Sequence, residues 1–221
     1  ETLFKQIGLQ SSVERYGASG HERGCSLDFL EYPLNNRWWL IDRFQEIRQL
    51  TDPSEQWRQI RELRAWESPV PGALYDDIGH VGRCPRVLMG SRRAGDRYLP
   101  DEPIPTQWWW DNGFSRRRLS WQCTMDWPRA LVYEGLNPAQ KWIFRCTGYG
   151  DVLPRADGVP LNPTRHNREI GGIKEFPVPP ELTRDGSLVI TFDPVPNEEN
   201  LNWRQQSRLA ETWLFPDAEN P

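Results

Sequence analysis

The chain has 221 residues, a formal net charge of −4 and a hydrophobic fraction of 37%, which is below the usual share for a globular protein. Its 12 Trp, 8 Phe and 6 Tyr argue against disorder, because disordered chains are poor in large aromatic residues. The lack of a long basic block argues against a nucleic-acid partner, and no apolar run of roughly 18 residues is present to span a membrane.

Residues 1–66 carry helix-like patterns. The clearest one repeats apolar side chains at helical spacing, at Leu40, Phe44, Ile47 and Leu50. The next has a strong start signal, with Asp52 as N-cap, Pro53 as first helical residue and Glu55 as the returning carboxylate of a capping box. The segment ESPVPG at 67–72 then ends the helical region, because proline removes a backbone donor.

After residue 70 the apolar runs shorten to strand length, and turn residues separate them. The predicted strands are 84–89, 117–124, 129–134, 141–148, 171–176, 187–193 and 208–215. Together they predict a mainly β fold, an antiparallel jelly roll or β-sandwich preceded by a short α-helical segment. We expect 1–68 to be a helical lead-in or connector and 69–221 to be the sandwich domain, with a long Trp-rich loop at 90–116.

The four cysteines contain no CxxC pair, which argues against a zinc knuckle. An even number of cysteines is consistent with two disulfides in an oxidising compartment, although four buried thiols would also explain it. Three connectivities are possible. We prefer Cys123 with Cys146, because both lie in strand-like runs.

A first candidate binding site is the run Trp108, Trp109 and Trp110. Aromatic faces suit the C–H patches of a sugar ring, and the neighbours Gln107, Asp111 and Asn112 could bind its hydroxyl groups. The alternative is that these tryptophans are buried beneath a loop that covers the sandwich. A second candidate is Trp203 with Arg204, just before the last predicted strand, and its alternative is a solvated loop with one packed Trp.

Adjacent carboxylates at Asp76 and Asp77, followed by a glycine, suit a hard cation such as Ca²⁺ held by oxygen ligands in a loop. A capped turn is the alternative. Signals for catalysis are weak, because the chain has three histidines and lacks the HExxH, GxSxG and phosphate-loop motifs. We therefore expect a non-catalytic chain.

Residues 129–215 resemble galactose-binding-like jelly-roll domains of multimodular carbohydrate-active proteins. The resemblance lies in PRALVYEGLNPAQKWIFRCTGYG, IGGIKEFPVPPELTRDGSLVITFDP and RQQSRLAETWLF, and it covers about two-fifths of the chain. In such domains a structural calcium often lies between an early loop and a Glu on the final strand. The resemblance therefore implies that Glu211 joins Asp76 or Asp77 as a calcium ligand.

The resemblance also implies a carbohydrate-binding or accessory module of a larger secreted, extracellular or periplasmic protein, with a glycan or polysaccharide as partner. Because Glu1 rather than Met opens the chain, we expect it to be cut from a longer one. One alternative is a structural module that packs against the rest of the parent chain or another subunit. Another is a glycoside hydrolase or lyase that uses a carboxylate pair.

Overall fold

A computed structural model describes residues 37–78, 84–88, 127–169, 171–201 and 206–217, with only the backbone described for 37–42 and Asp77. Over these ranges the protein is mainly β, with two helices and two five-stranded antiparallel sheets. The predicted strand 117–124 and the loop 90–116 lie outside the described residues.

Helix α1 spans Arg37–Gln49 and helix α2 spans Pro53–Arg64. The predicted start of α2 is confirmed, because the Asp52 side chain accepts a hydrogen bond from the Ser54 backbone N–H at 2.9 Å and Pro53 opens the helix. The predicted capping box is wrong in its second half. The Glu55 carboxylate turns along the helix and accepts from Arg58 and Gln59 instead of the N-cap backbone.

Neither helix is long and apolar enough to cross a membrane, a finding that applies to the described ranges only. The two helices have 13 and 12 residues. A membrane-spanning helix needs about 20.

The first sheet has its strands in the order β1 (Leu74–Asp77), β10 (Arg208–Pro216), β4 (Trp142–Tyr149), β8 (Lys174–Val178) and β7 (Arg165–His166). The second has the order β2 (Val87–Leu88), β3 (Ala130–Glu134), β9 (Ser187–Phe192), β5 (Pro154–Ala156) and β6 (Val159–Pro160). A short 3₁₀ helix at Pro180–Thr183 precedes β9.

The two sheets pack face to face around one apolar core. Phe144 of the first sheet lies 6.3 Å from Phe192 of the second, measured between ring centroids. Side chains of β9 alternate as predicted, with Leu188 and Ile190 fully buried. The predicted β-sandwich is therefore confirmed, whereas a jelly-roll topology stays a prediction.

Strand β10 is buried along nearly its whole length, from Arg208 to Phe215. One of its faces contributes to the core, and the other lies beneath the segment that follows α2. A register shift between Leu209 and Glu211 marks a bulge opposite Gly148 of β4. A Cβ on Gly148 would lie 1.8 Å from the Arg208 carbonyl oxygen, so only glycine fits this close approach.

Four strands were not predicted. The Asp76–Asp77 segment, expected to be a cation loop, is strand β1, and β5, β6 and β7 have only two or three residues each. Strands this short contain too few residues to show alternation.

Cys84 is buried, and Cys146 is a buried free thiol. Cys146 lies inside the sandwich, on the core face of β4. Cys123 lies outside the described residues. The structure therefore gives no support to the predicted Cys123–Cys146 disulfide, because Cys146 contacts core side chains as a thiol.

Candidate functional site: a groove between α2 and the first sheet

Trp66 attaches the helical segment to the outer face of the first sheet, the face turned away from the core. Its indole Nε1 donates to the Glu211 carboxylate at 3.0 Å, and its carbonyl accepts from Trp213 Nε1 at 3.0 Å. The two indole rings meet edge to face, with centroids 5.9 Å apart. This contact fixes where α2 ends relative to the sheet.

Glu211, predicted to be a calcium ligand, is a hydrogen-bond acceptor beneath Trp66. Its side chain is 1% exposed. Besides Trp66, it accepts from the Tyr75 hydroxyl at 2.9 Å and from the Thr147 hydroxyl at 3.1 Å. The carboxylate charge is thus stabilised by directed N–H and O–H donors.

Asp76 and Glu211 lie on opposite faces of the sheet, which corrects one of the predicted metal pairings. Asp76 is paired in register with Thr212, whereas Asp77 is opposite Glu211. The fully buried Asp76 carboxylate accepts from Arg86 Nη1 at 3.0 Å, and burial raises the pKa of Asp76. No single ion can contact both Asp76 and Glu211, because neighbouring side chains on a strand point to opposite faces.

Asp77 is therefore the remaining predicted partner of Glu211. Three donors already occupy the Glu211 carboxylate, which does not favour an ion at this position. Among the described side chains, no group of three or more His, Cys, Asp or Glu residues is arranged to hold a metal. Calcium between Asp77 and Glu211 stays a prediction that elemental analysis after dialysis tests.

A groove runs between α2 and the outer face of the first sheet. Its wider part has a volume of about 480 Å³ and its narrower part about 360 Å³. Both volumes lie in the range of small-ligand sites. Side chains shared by the two parts are those of Glu62, Trp66, Arg165 and Ile173.

Planar polar side chains from both walls surround Trp66 in this groove. Helix α2 contributes Gln59 and Glu62, while the segment around β7 contributes Arg165 and Asn167. Amide, carboxylate and guanidinium groups together offer donors and acceptors to a polar ligand. The groove therefore combines one aromatic surface with hydrogen-bonding groups on two sides.

A second polar cluster lies inside the sandwich, as a row across the core face of the first sheet. The cross-strand register places Asp76, Thr212, Cys146, Lys174 and His166 side by side. Burial lowers the pKa of Lys174 and raises that of the Cys146 thiol to about 12. The Cys146 thiol is thus protonated near pH 7, and burial disfavours the charged form of Lys174.

His166, at the edge of this row, is the one histidine of the chain that lies within the described ranges. Its Nε2 lies 3.7 Å from Asp151 Oδ1, and Arg168 Nε approaches the same oxygen at 3.0 Å. Burial is the main cause that lowers the pKa of His166. A structural role for this edge cluster is consistent with the weak catalytic signal in the sequence.

The other predicted site residues lie outside the described ranges. They are Gln107, Trp108, Trp109, Trp110, Asp111, Asn112, Trp203 and Arg204. The groove itself was not predicted. Its only signal in the sequence is Trp66. The helical region has more tryptophans than two short helices need to form one apolar face, and Trp66 is one of them.

Comparison with known proteins identifies no matching family model. No curated protein matches the chain either. Function therefore has to be argued from the geometry and chemistry of the site.

Proposed function

We propose that the chain is a carbohydrate-binding or accessory module of a larger extracellular or periplasmic protein, and that the groove beside Trp66 holds the sugar. The observation that carries the proposal is the combination of an indole with planar polar side chains on both walls. A pyranose ring presents C–H faces to an aromatic ring and hydroxyl groups around its edge. Gln59 and Asn167 line the groove, and their amide groups both donate and accept hydrogen bonds of the kind that such hydroxyl groups make.

The resemblance of residues 129–215 to galactose-binding-like domains supports the same function. The jelly-roll topology, the location outside the cytoplasm and the larger parent protein are parts of this proposal. Cys146 is a buried free thiol, so the disulfide predicted for it does not contribute to the argument.

Glycan-array binding and affinity electrophoresis on soluble polysaccharides test the proposal. The double variant Gln59→Ala/Glu62→Ala removes groove side chains from an exposed helix face and keeps good helix formers. Trp57→Ala is the matched control, because Trp57 is on the same helix, is 61% exposed and does not line the groove. We expect the double variant to lose binding and Trp57→Ala to keep it.

Variants Trp108→Ala and Trp110→Ala test the platform predicted from the sequence in the same assays. Loss of binding in these variants alone would move the sugar site from the groove to the 108–110 run. If the wild-type chain binds no glycan and no polysaccharide, the proposed function is wrong.

A second candidate function is a structural module that packs against another domain or subunit. Two large aromatic side chains of the helices favour it: Phe44 is 47% exposed and Trp57 is 61% exposed. Aromatic residues of this kind are enriched at protein interfaces. Light scattering coupled to size exclusion tests it, since self-association that Trp57→Ala abolishes would favour an interface over a sugar site.

A further inference from the structure

A row of side chains crosses the outer face of the first sheet, and three of them, Trp213, Arg145 and Arg165, line the narrower part of the groove. The register places Trp213 of β10 beside Arg145 of β4, Arg145 beside Glu175 of β8, and Glu175 beside Arg165 of β7. Side chains directly opposite each other on neighbouring strands interact. This row therefore has one guanidinium group on each side of the Glu175 carboxylate.

Arg145 binds the Glu175 carboxylate. Its Nε and Nη2 approach Glu175 Oε1 at 2.7 Å and 2.5 Å, and its guanidinium lies 4.5 Å from the centroid of the Phe215 ring. Both contacts hold Arg145 in place. Among the side chains that the structure describes, Arg165 has no acidic partner within ion-pair distance.

The acidic side chains of the helical wall are also paired. Glu46 binds Arg43 at 2.5 Å, and Glu62 binds Arg58, which also binds Glu55. Glu169 is exposed and lines only the wider part of the groove, whereas Arg165 lines both parts together with Trp66. Among the described side chains that line both parts of the groove, Arg165 is thus the one cation, and the one carboxylate, Glu62, is bound to Arg58.

We propose that this groove binds an acidic sugar, whose carboxylate pairs with Arg165 while its ring lies against Trp66. The inference rests on the proposed function and adds the chemical class of the ligand. A guanidinium offers two parallel N–H donors that match the two oxygens of a carboxylate. The net charge of −4 makes nonspecific attraction of a polyanion unfavourable, so binding of one would need a local site.

Polygalacturonate and fully methyl-esterified pectin are the probes, because they share a backbone and differ in whether the carboxylate is free. We expect the whole chain to bind polygalacturonate about tenfold more tightly than the ester, the effect of one charge-assisted pair. The difference should shrink when salt is raised from about 50 mM to about 500 mM. Isothermal titration calorimetry measures both.

Arg165→Gln should reduce the affinity for polygalacturonate to that for the ester, and Arg165→Lys should restore only part of it. Arg184→Gln is the matched control, since Arg184 is exposed, follows the 3₁₀ helix and does not line the groove. Circular dichroism and thermal melting establish that each variant is folded. Equal losses in Arg165→Gln and Arg184→Gln would overturn the inference by showing nonspecific electrostatics.

The outcomes separate this inference from the proposed function. Equal binding of both polymers, unchanged in Arg165→Gln, overturns the acidic-sugar inference and leaves a sugar-binding groove. Binding of neither polymer, nor of any neutral glycan, refutes the proposed function itself. Heparin, a sulfated polymer, is a third probe and tests whether the group that Arg165 binds is a carboxylate. Tighter binding of heparin than of polygalacturonate would assign Arg165 to a sulfate ester.

Discussion

Replacing Lys174 by Met should stabilise the protein, because Lys174 is an amine placed inside the sandwich. Its side chain has no exposed surface, and among the residues that the structure describes its Nζ has no hydrogen-bond partner. The charged or titratable groups that interact with it electrostatically are Cys146, Asp151, Arg168 and His166. Methionine keeps an unbranched stem of similar length and removes the unsatisfied polar atom.

A buried polar group without a partner costs about 1–3 kcal/mol, so we expect Lys174→Met to raise the free energy of unfolding by about this amount near pH 7. The size of this effect depends on pH. In the folded protein burial lowers the pKa of Lys174 below the ordinary value of 10.5 that it has in the unfolded chain. Between the folded and the unfolded pKa, the unfolded chain binds more protons. The wild-type protein is therefore stabilised as pH rises toward 10.5.

The advantage of Lys174→Met should consequently narrow as pH increases. Each pH unit in which lysine is protonated only in the unfolded chain changes the difference by about 1.4 kcal/mol. Urea unfolding followed by tryptophan fluorescence, at about pH 7 and about pH 9.5, measures the difference in stability between Lys174→Met and the wild-type protein. Lys141→Met is the matched control, because Lys141 is exposed and should change stability by no more than about 0.5 kcal/mol.

Two results would refute this reasoning. One is a Lys174→Met protein that is less stable than wild type by more than about 1 kcal/mol, which would mean that the amine makes a favourable buried interaction. The other is an advantage that stays constant between the two pH values, which would place the folded pKa of Lys174 at its ordinary value.

Three further predictions concern the sheet that carries the groove. Glu211→Leu leaves the Trp66 indole and two hydroxyl groups without their acceptor, so we expect a loss of about 2–4 kcal/mol in urea unfolding. Gly148→Ala drives a methyl group into the Arg208 carbonyl oxygen, and should lower stability by at least about 3 kcal/mol or prevent folding. Cys146, whose pKa burial raises to about 12, should not react with iodoacetamide at about pH 8 until urea unfolds the chain.

Each of these predictions has its own control. Glu211→Gln keeps one acceptor and should cost less than Glu211→Leu, so equal losses would count against the hydrogen-bond explanation. Gly158 also has a positive φ, 82°, but a Cβ added there has no neighbouring atom within 4 Å, so Gly158→Ala should fold with a cost of about 1 kcal/mol. Rapid alkylation of Cys146 in the folded protein, located by peptide mass spectrometry, would contradict its burial.

Local sequence patterns determined the elements whose signals lie within a few residues. Asp52 and Pro53 predicted the start of α2, because capping involves only neighbouring backbone groups. The alternation of Leu188, Ile190 and Phe192 predicted the core face of β9, because a strand with one buried face has a period of two residues. The mainly β character followed from several such strands in a row.

The groove and the polar row were decided by the tertiary structure. Trp66 and Glu211 are 145 residues apart in the chain, and no local pattern relates them. Strand β1 was expected to be a loop because its two aspartates suit a cation, yet pairing with β10 turns Asp76 into the sandwich beside Arg86.

The burial of Lys174 was likewise decided by the tertiary structure. A lysine on a short strand is ordinarily expected at the surface, and only the register with Cys146 and His166 places it inside the sandwich. Register between distant strands depends on the packing of a whole face, which the sequence of one strand does not contain. The sequence by itself therefore determined that this chain forms a Trp-rich sandwich with helices before it, and the packing of distant segments formed the groove.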